Sequence, residues 1–304
     1  MTDRTAKKPL IKQGWLRVIL FILCSSVIAA ILSVPVGIFV LRQGLILNPF
    51  QTLSQLLQSQ WLWLLVLLEC IVSLVSVSIF RRWVDRKSLA SLGLEPGGHT
   101  SESIAGLFMG PALLGISALC LLFTGHAKWT DMIFDAQSLT ISVGLLILIS
   151  FGEELVFRGY ILNNLLDTFK NKWIALVISA LLFASFHITN PGMNSLAFAN
   201  LFLAGLLLGI NYIHTRNLWF SFLFHFSWNF FQGPILGFNV SGLHLPSLLQ
   251  LETSGDALIT GSDFGLEGSM LNTAVSLTAV LLLALAFERK YSPGLRSGVS
   301  GSHS

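Results

Sequence analysis

The sequence predicts an all-α protein, a polytopic membrane helical bundle of about eight transmembrane helices with both termini cytoplasmic. Three observations carry that prediction. Of 304 residues 53% are hydrophobic and only 11% charged, whereas a soluble domain carries about 25% charged residues. Apolar runs recur at about the 20-residue length that crosses a bilayer. Lys and Arg alternate between loops. One set holds the N-terminal cluster, Arg81 to Lys87, Lys170 with Lys172, Arg216, and Arg289 with Arg296, and the other holds only Arg42 and Lys128. By the positive-inside rule the first set is cytoplasmic, and an even number of spans returns both termini to that side.

The elements follow in order. A cytoplasmic basic N-terminus, residues 1–14, leads to three N-terminal spans within residues 15–137: Trp15–Leu41, bent at Pro35, then Trp61–Phe80 and Ser103–Phe123. The first run is too long for a signal-peptide apolar region and lacks a small-x-small cleavage site, so it is expected to be retained. A core over residues 138–242 contains Ser138–Leu166, Trp173–Ile188, Ser195–Ile213 and Leu218–Phe231. Pro191 disfavours helix in Asn190 and sets an end there. Gly106-x-x-x-Gly110 and Gly205-x-x-x-Gly209 are candidate faces for close helix packing. Residues 243–290 comprise an acidic loop and a last span, Leu271–Phe287, and residues 291–304 form a Ser/Gly tail expected to be disordered. Between Gly233 and Gly268 stand Glu252, Asp256, Asp263 and Glu267, with no Lys or Arg. Cys24, Cys70 and Cys120 all fall in apolar runs, which argues for packing and against a disulfide framework. No nucleotide-binding loop, soluble domain or long repeat is present, and no nucleic-acid partner is expected.

The stretch Ser150-Phe151-Gly152-Glu153-Glu154-Leu155-Val156-Phe157-Arg158-Gly159 places three charges inside one of these spans. An ionisable group at that depth is costly unless it is paired or faces water. Glu154 and Arg158 are i,i+4 neighbours and can neutralise each other. Glu153 is rotated by about 100° from Glu154 and has Ile149 and Phe157 at i±4, so it is left without a partner on its own helix. Two histidines lie in later spans: His187 closes Phe183-Ala184-Ser185-Phe186-His187, and His225 stands one turn before Asn229. Any one of these could be a hydrogen-bonded packing residue. Together Glu153, His187, His225 and Asn229 are better explained by a polar, water-containing pocket than by separate packing needs.

Such a set supports a limited chemistry. A desolvated carboxylate can take a proton from water, and an imidazole can orient that water. A second imidazole and a carboxamide can donate to the oxyanion of a tetrahedral intermediate. That is hydrolysis of a carbonyl substrate with water as nucleophile. The same two His and one Glu form a known Zn²⁺ ligand set, an alternative that the spacing leaves open. Glu69, in the second span, is expected to make an interhelical hydrogen bond. Asn200 and Asn211 are expected to line the pocket or bond across helices.

Glu153-Glu154-x-x-x-Arg158, Phe183-x-x-x-His187 and His225-x-x-x-Asn229 occur in the order seen in the CPBP family of intramembrane proteases, which the chain resembles over Ser138 to Gly242. That family includes the CAAX prenyl endopeptidases and the bacterial Abi proteins linked to bacteriocin self-immunity. Arg216-Asn217-Leu218-Trp219 and Gly233-Pro234-Ile235-Leu236-Gly237 resemble bacterial members. The resemblance implies an intramembrane glutamic-type endopeptidase with no cofactor, acting on a membrane-associated peptide or protein in the bacterial cytoplasmic membrane. Glu153 is the implied base, His187 the water holder, His225 and Asn229 the oxyanion donors, and Glu154 with Arg158 their support. Two other function classes compete: a non-catalytic immunity or regulatory protein, and a proton-coupled transporter, the latter disfavoured by the lack of an internal repeat.

Overall fold

The computed structural model describes residues 8–42, 62–95 and 97–291. The beginning of the basic N-terminus, the polar loop after Arg42 and the Ser/Gly tail after Tyr291 lie outside the described residues. The long helices are α1 (Gly14–Arg42), α2 (Leu62–Ile79, prolonged by a π turn, Phe80–Val84), α3 (Thr100–Phe123) and α4 (Ala136–Leu166). They continue with α5 (Lys172–Phe186), α6 (Ser195–Ile210, with a further turn Tyr212–Thr215), α7 (Trp219–Phe230, followed by a π turn, Phe231–Ile235) and α8 (Met270–Tyr291).

Six helices among the described residues are long and apolar enough to cross a membrane: α1, α2, α3, α4, α6 and α8. The protein is therefore an all-α, multi-pass membrane bundle. The fifth and seventh expected spans are shorter, with 15 residues in α5 and 12 in α7. At 1.5 Å per residue these rise only about 22 and 18 Å, less than the ~30 Å of a hydrocarbon core. Polar side chains set several boundaries. Asp135 caps α4 by accepting from the backbone N–H of Gln137 at 3.0 Å, and Asn171 caps α5 by accepting from that of Trp173 at 2.9 Å. Asn194 caps α6, accepting from Leu196 and Ala197 N–H at 3.0 Å each.

Both glycine pairs mark close contacts. A Cβ on Gly106 would stand 2.6 Å from the Phe220 carbonyl oxygen, and one on Gly205 would stand 2.8 Å from Ala180 Cα. Only glycine lets α3 meet α7, and α6 meet α5, at this separation. The start of α1 lies beside Asn164 at the end of α4, where Trp15 N–H reaches Thr168 Oγ1 at 3.0 Å. The end of α8 lies at the start of α3, where Lys290 and Tyr291 both bond Glu102. The two described ends of the chain thus share one end of the bundle.

Two features depart from the expected pattern. Arg17 and Arg81 are not loop charges: they are 2% and 1% exposed, and both pair with the fully buried Asp85, at 3.0 and 2.9 Å. A basic side chain near a helix end can leave the interface when a carboxylate elsewhere in the chain offers it a buried partner. The loops after α3 and α7 also pair with each other. Ala127–Met132 and Leu249–Thr253 form an antiparallel ribbon, tied to the end of α7 by Trp129 Nε1–H donating to Leu236 O at 3.0 Å.

Candidate active site

Glu153 and Glu154 close the α-helical part of α4, and the next eight residues, Leu155–Leu162, wind as a π-helix. π segments are rare and recur at functional sites. Arg158 lies in this segment and is 1% exposed. Its Nη1 bonds Glu154 Oε1 at 2.8 Å, its Nη2 donates to Gly205 O at 3.1 Å, and its guanidinium lies 4.6 Å from the centre of the Phe183 ring. The expected i,i+4 pair is present, and α6 and α5 supply its remaining contacts.

His225 joins that pair from α7, with Nδ1 2.9 Å from Glu154 Oε1. A carboxylate already bonded to a guanidinium accepts, so Nδ1 carries the proton and Nε2 is turned towards the other carboxylate. His187 is fixed in the same way, because its Nδ1 stands 2.8 Å from Phe183 O and a backbone carbonyl can only accept. Both Nε2 atoms converge on Glu153 Oε2, at 3.7 Å from His187 and 4.0 Å from His225. That oxygen is buried and has no hydrogen-bond partner among the described residues. Separations of this size, with a bare acceptor at the centre, suit a bridging water.

Asn229 follows His225 by one turn of α7 and is 6% exposed. It lines a cavity of about 240 Å³ together with Glu153, His187, His225, Asn190 and Ser241. A water needs on the order of 15 Å³ of such space, so there is room for water and part of a substrate. All four residues of the expected pocket are therefore brought together.

A full-length fifth span running to Ile188 would carry His187 well above Glu153. The short α5 removes that difficulty. From the turn joining α4 to α5, Glu153 is 13 residues back from Leu166, and His187 is 15 residues on from Lys172. Two antiparallel helices counted from their shared turn reach the same height, and α5 stops there with His187 as its C-cap.

Beyond His187 the chain turns irregularly to Asn194, and a roof covers it on the ribbon side. Asn190 Nδ2 donates to Ser241 O at 3.0 Å, and Glu267 Oε2 accepts from Ser241 N and Oγ at 2.7 and 2.8 Å. Glu267 Oε1 accepts from Trp228 Nε1–H at 3.2 Å, which joins the roof to α7. Asn190, Ser241 and Glu267 do not stand out in the sequence: Glu267 looks like its three acidic neighbours in the same loop. Asn200 bonds across helices as expected, donating to Glu267 O and Ser269 O at 2.7 and 2.8 Å. The cysteines are free thiols, with Cys70 buried and Cys24 and Cys120 exposed. Among the described residues no group of three or more His, Cys, Asp or Glu side chains is arranged to hold a metal ion.

No curated protein and no solved structure matches the chain. A family model does, over residues 135–231, and is described as type II CAAX prenyl endopeptidase Rce1-like. The matched segment begins at the cap of α4, ends at the first residue after α7 and contains Glu153, Glu154, Arg158, His187, His225 and Asn229. Over this segment the chain is similar to the CPBP/CAAX protease family.

Proposed function

We propose that the protein is an intramembrane endopeptidase that hydrolyses a peptide bond of a membrane-associated peptide or protein with a Glu153-activated water. The single observation that carries this reading is the bare, buried Glu153 Oε2 facing two imidazole nitrogens across a cavity. Water bound there donates one hydrogen to Glu153 and the other to the His187 Nε2 lone pair. Glu153 takes the proton as the water oxygen adds to the substrate carbonyl carbon. The resulting oxyanion accepts from the Asn229 carboxamide and from His225 Nε2. Because Nδ1 of His225 already donates to Glu154, Nε2 becomes a donor only when His225 carries a second proton. The Arg158–Glu154 pair holds the ring in that orientation. Collapse of the intermediate breaks the C–N bond, and Glu153 returns its proton to the departing amine.

The protein lies in the bacterial cytoplasmic membrane with both chain ends cytoplasmic. Support comes from Arg82, Arg86, Lys87, Lys170, Lys172 and Arg289 at that end of the bundle, against Lys128 and Arg42 at the other. The test uses the full chain in lipid nanodiscs with a membrane-anchored peptide reporter and product identification by mass spectrometry. Cleavage by the parent and none by Glu153→Gln is expected. Equal turnover by the variant overturns the reading, and loss of parental turnover on chelation assigns the same residues to a metal-dependent reaction.

A further inference from the structure

Glu69 is an acid in the membrane bundle that the mechanism does not use. It lies beside Cys70, whose Sγ–H donates to Leu148 O at 3.2 Å and docks that turn of α2 against α4. Leu65, Glu69 and Ser73, one turn apart, line a second chamber of about 450 Å³ between α1, α2 and α4. Glu69 and Glu153 line this chamber and the catalytic cavity alike, so the two spaces meet at a pair of carboxylates. The expected interhelical hydrogen bond is not made: among the described residues Glu69 has neither a hydrogen bond nor an ion pair, and its side chain is open to the chambers. Among the described residues no Lys or Arg lines either space.

An unpaired carboxylate among apolar walls is costly, and the usual remedy is a partner of opposite charge. Among the described residues no Lys or Arg supplies that partner, and whatever occupies the chamber lies against Glu69 as well as Glu153. We propose that Glu69 is a specificity-determining residue that receives a cationic side chain of the substrate, a Lys or Arg close to the scissile bond. This rests on the peptidase reading above.

Binding tests this without turnover. The full-length Glu153→Gln chain in nanodiscs is titrated with fluorophore-labelled apolar peptides that are identical except for one central Lys, Leu or Glu. With Glu153 neutralised, any remaining charge preference belongs to Glu69. The Lys peptide is expected to bind about tenfold tighter than the Leu peptide, the low end of close charge pairs. Adding Glu69→Gln removes the preference, and adding Glu69→Lys turns it towards the Glu peptide. An unchanged Lys-to-Leu ratio in the Glu69→Gln background overturns the proposal, as does the absence of any preference in the Glu69 parent. Hydrolysis is scored separately in the chain with Glu153 intact, so a charge preference without cleavage, or cleavage without a preference, shows which reading has failed.

Discussion

Two buried ionic clusters sit on α4 and use opposite stoichiometries. Towards its C-terminal end two guanidiniums converge on one buried carboxylate, with Asp167 a further 3.6 Å partner of Arg17. Asp85 Oδ1 takes Arg17 at 3.0 Å, and Oδ2 takes Arg81 at 2.9 Å, with Tyr160 and Asn164 of α4 adding bonds at 3.4 Å each. At the candidate active site two carboxylates share one guanidinium, and only Glu154 is bonded to Arg158. The first cluster uses both oxygens of its acid and fastens α1 and α2 to α4. The second leaves Glu153 with a bare oxygen in a cavity. Two groups of similar chemistry and burial thus differ in whether an unbonded acid oxygen is left lining a cavity.

The widest separation between the two clusters is expected from Glu153→Gln. It removes the base and lowers kcat on the order of 10⁴-fold, while thermal unfolding in detergent stays at the parental temperature. A large fall in that temperature would mean that Glu153 also fastens the fold. Asp85→Asn should do the reverse. Two buried guanidiniums lose their acid, at a cost of about 3–5 kcal/mol of stability, read as a lowered denaturation midpoint, while the protein that remains folded keeps its kcat. A fall in kcat per folded molecule would break the division between the clusters. Asn229→Ala should cost about 10²-fold in kcat with little change in KM, the loss expected for one oxyanion donor; an effect on KM alone would move Asn229 to substrate binding.

The smallest effect concerns the cap of α4. Hydrogen bonds from Ser138 Oγ–H and then from backbone N–H groups hold the Asp135 carboxyl below the usual range. A folded-state value below the unfolded one contributes stability that is complete above the ordinary carboxylate range and is lost as pH falls through the depressed value. Unfolding midpoints measured across acidic pH should show this loss in the parent and lack it in Asp135→Ala.

Much of the site was legible because its contacts are local. Glu154 with Arg158, and His225 with Asn229, are one helical turn apart, and the exclusion of Glu153 from its own helix follows from the same periodicity. What was not legible depends on distance in the chain. Arg17 and Asp85 are separated by 68 residues, so periodicity gives no sign that a basic residue at a helix end has been drawn inward. Glu267 is likewise chosen from four acids by Trp228 and Ser241, contacts that exist only after the roof has closed. The height of His187 depended on where α5 stops, and hydropathy does not distinguish a 15-residue helix from a full crossing.

The π-helical stretch Leu155–Leu162 joins the two clusters, carrying Arg158 of one and Tyr160 of the other. It sets their relative rotation about the helix axis, since Glu153 and Glu154 precede it and Asn164 follows it. Rewinding the same residues as α-helix would turn one end against the other, because a residue of an α-helix advances further about the axis than one of a π-helix. Asn164 could then face Asp85 only by turning Glu154 away from His225. The segment works as a phase shifter, and its winding is as much a part of the proposed catalytic apparatus as the side chains it carries.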